Sequence, residues 1–226
     1  MDPGIVILVV FTVLAIYWLV RKKSPPATFT TETRINSDQY RKYQALMKES
    51  TALKRAGKLD EAVQKILGAY REAQENGLFI PAADYLKLPY YLQKANRNDE
   101  AWDWFNKLIR SCSDDPMTLS EIYSKMALFR EREKKPEDTI KYYVLSDMYR
   151  CLGLHQLIAL GDTDRESELT FGKERLEEGY GASLKKCGCA HLDDDLKKII
   201  REHMQTFPKL RVPDVVRDIN ALMTKK

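Results

Sequence analysis

The sequence predicts an all-α protein: an N-terminal transmembrane helix, an array of helical-hairpin repeats, and C-terminal capping helices. Three observations predict it. A short phrase, Gly57-Lys58-Leu59-Asp60-Glu61-Ala62, returns as Asn96-Arg97-Asn98-Asp99-Glu100-Ala101 and as Lys134-Lys135-Pro136-Glu137-Asp138-Thr139. The small residue closing each copy falls at 62, 101 and 139, in steps of 39 and 38 residues. An apolar run of 17 residues, Gly4 to Val20, precedes all three. Charged residues are 31% of the chain against 10 glycines and 9 prolines, a mix that suits helices more than sheets.

The repeats extend beyond the phrase. A large residue follows the closing position by four: Ile66, Phe105, Tyr143. A small or compact one precedes it by twelve (Ser50, Pro89, Ala127) and a bulky one by sixteen (Leu46, Tyr85, Tyr123). Period-matched columns of this kind mark a helix-turn-helix repeat. Two helices approach to about 8–10 Å only where small residues meet, as Ser50 and Ala62 or Ala127 and Thr139 would. Asp60, Asp99 and Glu137 fall near the start of each second helix, where acidic groups are favoured. The stretch from about Tyr43 to Arg150 resembles the tetratricopeptide repeat family. It departs from that family in three ways. Its period is longer by four or five residues than the family's roughly 34. Pro89 falls inside an expected helix, which must kink or start near it. Arg130 stands in a column that holds Leu53 and Leu92.

Taken in order, residues 1–23 read as a transmembrane anchor with a basic flank. Seventeen residues span roughly 25 Å as a helix, at the short end for a bilayer. Tyr17 and Trp18 sit at its end, followed by Arg21, Lys22 and Lys23. A cleaved secretory signal is the alternative, but its positive charge would precede the run. The expectation is a single-pass protein of the cell membrane, held through residues 4–20, with the N-terminus outside and the remaining chain cytoplasmic. Residues 24–36, with Pro25 and Pro26, read as a linker.

Residues 37–152 hold the repeats. Ser37 or Asp38 caps a helix over 39–56, which Gly57 ends. A partner helix runs from Leu59 to about Glu75, stopping at Asn76-Gly77. Residues 82–95 and 99–110 form a second pair, with Trp102, Trp104 and Phe105 packing on both sides. Asp114-Asp115-Pro116 breaks the chain, and 118–133 with 136–152 make a third pair ending at Gly153. Residues 153–226 are a C-terminal helical extension. Thr163 or Asp164 opens a helix to about Glu178, Gly179-Tyr180-Gly181 interrupts, and Asp193-Asp194-Asp195 opens another through about Phe207. A last amphipathic helix, with Val212, Val215, Val216, Ile219 and Leu222 at helical spacing, covers the open face of the array.

The net charge of +4 falls to +2 without Arg21, Lys22, Lys23 and Asp2, so no nucleic-acid partner is expected. Four irregularly spaced cysteines suit a reducing compartment better than a disulfide framework. Cys187, Cys189 and His191 are candidate zinc ligands, with Cys151 or His155 as a fourth. A Cys187–Cys189 redox pair and a plain tight turn are the alternatives. No cofactor other than zinc is suggested. Phosphate-loop, nucleophile-elbow and metalloprotease patterns are absent, and the chain is not expected to be an enzyme.

The family resemblance implies ligand binding along the first helices of each pair. Aligning the copies puts Arg55, Lys94 and Arg132 in one column, with Met47, Leu86 and Tyr90 in neighbouring ligand columns. A basic ladder beside apolar contacts suits an extended, acidic peptide or protein segment. The family's carboxylate clamp does not carry over, because Met47 and Thr51 replace its lysine and asparagine. The expected function is a membrane-anchored protein–protein interaction scaffold. A zinc-binding assembly or quality-control adaptor, and a helical enzyme lacking a recognised motif, are the alternatives.

Overall fold

Three turns set the architecture. Gly57, Asn96 and Lys134 have φ of 79°, 59° and 57°, the left-handed conformation that closes a helix. After each, the next amide donates five residues back: Lys58 to Leu53 O at 3.0 Å, Arg97 to Leu92 O at 2.9 Å, Lys135 to Arg130 O at 3.0 Å. The spacing of these turns is that of the sequence phrase. Glycine and asparagine adopt this conformation readily, whereas a lysine side chain costs about 1–2 kcal/mol there. Glycine at the same place loses about 0.5–1 kcal/mol more chain entropy. Lys134→Gly is therefore expected to stabilise by about 0.5–1 kcal/mol, seen as a higher urea midpoint at unchanged slope. A lower midpoint would contradict this account of the turn.

The computed structural model describes residues 37–186 and 188–224, all helix and connection with no strand among the described residues. Helices α1 (Ser37–Arg55) and α2 (Leu59–Glu75) pack as one hairpin. The short α3 (Ala82–Tyr85) leads into α4 (Lys87–Lys94), which packs on α5 (Asn98–Ser111); α6 (Pro116–Arg132) packs on α7 (Pro136–Ala159). Contacts of α2 with α4, and of α5 with α6, join successive hairpins. The break at Leu86 puts Pro89 in the first turn of α4, where its missing N–H costs little. Asp115 caps α6 by accepting from the Thr118 amide at 3.1 Å.

The repeated columns are buried. Ser50, Ala62, Ala101 and Ala127 are fully enclosed, as is nearly all of Thr139. Arg130 fits its apolar column because its guanidinium lies 3.8 Å from the Trp102 ring centre and pairs with Glu133 at 2.6 Å and Asp138 at 3.1 Å. Aromatic rings fill the seams between hairpins. Trp104 stacks on Tyr70 at 5.7 Å and donates to Tyr85 O at 3.2 Å. Trp102 meets Phe129 edge-on at 4.9 Å and stacks with Tyr142 at 6.0 Å, and Tyr142, Tyr123 and Tyr149 continue the row.

Buried tyrosines give the fold an alkaline limit. The Tyr43 hydroxyl donates to Asp84 Oδ2 at 2.7 Å and that of Tyr70 to Asp84 O at 2.6 Å. Burial first, then these neighbours, push both phenols well above the usual range; burial pushes Tyr123 up to about 12. The unfolded chain releases these protons near pH 10, the ordinary tyrosine value, while the native chain holds them. Stability is thus full below about pH 10 and falls as pH rises from there toward the native values. An ultraviolet titration should show Tyr43 and Tyr70 ionising only as the protein unfolds, and Tyr123 well above pH 10. Ionisation of every tyrosine near pH 10 with helicity intact would refute this.

The helix expected to end at Leu152 is corrected: α7 runs straight through Gly153 to Ala159. Gly153 instead admits Met117, whose Cγ and Sδ lie 2.6 Å from where a Cβ would stand. Helix α7 is shared by the hairpins and the C-terminal helices. These are α8 (Glu166–Glu178), α9 (Gly181–Lys186), α10 (Asp193–Met204) and α11 (Val212–Met223). Val215, Ile219 and Leu222 of α11 are buried in a second core with Ile140, Val144 and Met148 of α7. The Tyr180 hydroxyl donates to Asp147 Oδ2 at 2.7 Å, and Arg175 Nε stands 3.3 Å from the same oxygen, tying these helices to α7.

The membrane expectation is corrected as well. Among the described residues no helix is long and apolar enough to cross a membrane. The longest, α7, is interrupted by Glu137, Asp138, Lys141, Asp147 and Arg150. The apolar run at 4–20 and the linker at 24–36 lie outside the described residues. The expected transmembrane helix, single-pass topology and membrane placement thus have no counterpart among the described residues.

Candidate functional site

The site grows from one half-buried ring. Tyr90 on α4 faces Lys54 of α1, Lys94 of its own helix and Arg132 of α6. The Lys54 and Lys94 Nζ atoms lie 5.5 and 5.3 Å from the ring centre, and Arg132 Cζ lies 4.9 Å away. A phenol ring attracts cations to its face, so the ring gathers three side chains from three helices. Gln93 locks the arrangement. Its Nε2 donates to Phe129 O at 3.1 Å and its Oε1 accepts from Arg132 at 3.0 Å. Among the described residues, no carboxylate forms an ion pair with Lys54, Lys94 or Arg132.

This ring lies where two parts of a groove meet. One part, about 450 Å³, runs past Lys94, Asn96 and Asn98. The other, about 300 Å³, is bordered by Leu86, Leu128 and Lys125 and floored by Phe105 and Phe129, which are 1% and 2% exposed. Tyr90 and Arg132 line both. The second part shares Leu86 and Lys125 with a polar recess of about 600 Å³ lined by Ser120, Asp147, Arg150 and Arg175. Shared lining residues set these recesses side by side as one groove surface, basic and aromatic at one end, apolar in the middle and mixed in charge at the other. Its dimensions suit an extended chain segment with at least one inserted side chain.

The structure gathers only some of the residues singled out from sequence. Tyr90, Lys94 and Arg132 meet, and Leu86 lines the groove. Arg55 is exposed and stands outside the ring of cations; Lys54 takes that place. Met47 is buried in the first core, its carbonyl accepting from Ser50 and Thr51 hydroxyls, and presents no side chain to the groove. Sequence reasoning missed Lys54, Gln93, Lys125, Phe105, Leu128 and Phe129. The period itself held a signal for two of them, because Lys54 and Gln93 share a column 39 residues apart.

No protein-family model, no curated protein and no solved structure matches the chain.

The cysteine stretch has a structural role. Gly188 has φ of 72°, and the Cys189 amide donates to Leu184 O at 2.8 Å, closing α9 as the hairpin turns close theirs. Cys189 packs against the second core and His191 is exposed, while Cys187 lies outside the described residues. Among the described residues, no three His, Cys, Asp or Glu side chains converge as a metal site. Cys151 is buried within α7, and burial pushes its thiol up to about 11. His155 packs edge-on against Phe207 at 5.4 Å. Alkylation at pH 8 should accordingly spare Cys151 until the protein is denatured. Modification of Cys151 in the native state would contradict its placement.

Proposed function

We propose that this protein is a non-catalytic interaction scaffold that binds an extended, acidic segment of another polypeptide along the groove. One observation carries this reading: three cations from three helices converge on Tyr90 with no carboxylate partner among the described residues. Like charges held together in this way repel, and a bound anion relieves that repulsion. The matched hairpin turns support a repeat of the tetratricopeptide kind as the scaffold.

The test uses the full chain in the cells that make it. A photo-crosslinking residue at Lys125, inside the groove, should capture polypeptides that one at exposed Asn106 on α5 does not. Lys94→Glu with Arg132→Glu should abolish that capture while helicity is retained. Equal capture at both positions, or capture that survives the double reversal, refutes the reading.

A further inference from the structure

We propose that the groove reads a composite motif: one bulky apolar side chain with carboxylates immediately beside it. This rests on the acidic-segment reading and adds what the segment must contain. The apolar chain enters the middle of the groove, between Leu86 and Leu128 and onto Phe105 and Phe129. The carboxylates meet Lys54, Lys94 and Arg132 around Tyr90.

The middle section has the features of a side-chain pocket. Its floor is two phenyl rings at 5.7 Å and 89° to each other, held rigid by the core behind them. Leu128 is half-buried at its wall. Cations flank this floor. The Tyr90 group lies at one side, and Lys125 also lines the floor without an ion-pair partner among the described residues. Two nearby carboxylates are already engaged, Asp84 with Lys87 and Tyr43, and Glu133 with Arg130 and Trp102, while Glu121 lines the adjoining polar recess with Lys125. Charge complementarity thus selects an acidic occupant from outside the described chain.

Neither half of the groove suffices alone. Exposed lysines are screened by salt and give little affinity to a purely acidic chain. A purely apolar chain would leave the three cations uncompensated. Tyr90 and Arg132 line both parts, so the two ligand features must be close neighbours in sequence. An apolar residue with acids at the adjacent or next-but-one positions fits, since an extended chain advances about 3.3 Å per residue. Gln93 fixes Arg132 before the ligand arrives, which lowers the ordering cost of binding.

The experiment is fluorescence anisotropy on the full-length protein with three labelled peptides. The first is Gly-Asp-Glu-Phe-Glu-Asp-Gly. The second has serine for its phenylalanine, and the third has amides for its carboxylates. At about 0.15 M salt the first should bind at least about tenfold more tightly than either other. Lys94→Glu with Arg132→Glu should erase its advantage over the amide peptide. Leu128→Ser should erase its advantage over the serine peptide, with helicity unchanged in both variants. Binding of the serine or amide peptide within about threefold of the first overturns the proposal. So does self-association that the charge reversal abolishes, because the occupant would then be a second copy. If no peptide binds but the groove still crosslinks to polypeptides, the composite motif fails and the scaffold reading stands. If both experiments are blank, both fail.

Discussion

Phe129→Ala is expected to destabilise the protein by about 3–5 kcal/mol, the range for emptying a fully buried aromatic site. Phe129 is 2% exposed and meets the Trp102 ring edge-on at 4.9 Å and the Phe105 ring at 5.7 Å. These rings belong to α5 and α6, so the cavity would open between the second and third hairpins. Neighbouring helices can collapse into it only by moving the backbone whose carbonyl receives Gln93. The loss should therefore reach the groove as well as the core. Phe171→Ala is the control, since Phe171 is 66% exposed. Urea unfolding should separate the two variants clearly. Equal midpoints would mean that the seam between hairpins is not packed as described.

Ala62→Trp is expected to cost about 1–3 kcal/mol or more, by overpacking rather than by emptying. Ala62 on α2 is fully enclosed, as is Ser50 on α1, and these two helices pack against each other. An indole there forces the helices apart along their whole contact. For a chain of this size each 1 kcal/mol moves the thermal midpoint by about 2–4 °C. Lys58→Trp, four residues earlier and exposed, should leave the midpoint nearly unchanged. Matching midpoints for the two variants would remove the helix crossing from that column.

Much of the hairpin architecture was legible because backbone geometry repeats with the sequence. A left-handed turn, an acidic first turn and an enclosed small residue recur at one period, and each leaves a residue-type trace. Lys134 shows how far the signal stretches, since a lysine fills a turn that glycine and asparagine fill in the other copies. Gly153 misled for the opposite reason. A glycine late in a helical stretch reads as its end, but this one makes room for Met117 on another helix, a demand no local pattern records. Pro89 was read closely because its constraint is local.

The site was less legible than the fold. Tyr90, Lys94 and Arg132 come together in space, but Lys54 and Arg55 are adjacent and only packing decides which reaches the ring. Met47 was placed in a ligand column, yet α1 turns it into the first core. Phe105 and Phe129 read as core residues and are core residues; that their outer edges also floor a groove depends on how far α3, α4 and α6 stand apart. The apolar run at 4–20 had a clear sequence pattern, but no helix among the described residues is long and apolar enough to cross a membrane.

The central claim is that Tyr90 and its ring of cations receive the ligand. The most direct measurement is NMR on protein labelled at tyrosine rings and arginine side chains, titrated with the acidic phenylalanine peptide. Tyr90→Phe and Arg132→Lys provide the assignments. The account predicts that the Tyr90 ring and the Arg132 Nε resonance shift together and saturate at one peptide concentration, with Tyr43 and Tyr180 unmoved. Shifts that leave Tyr90 and Arg132 in place while other tyrosines move would contradict it.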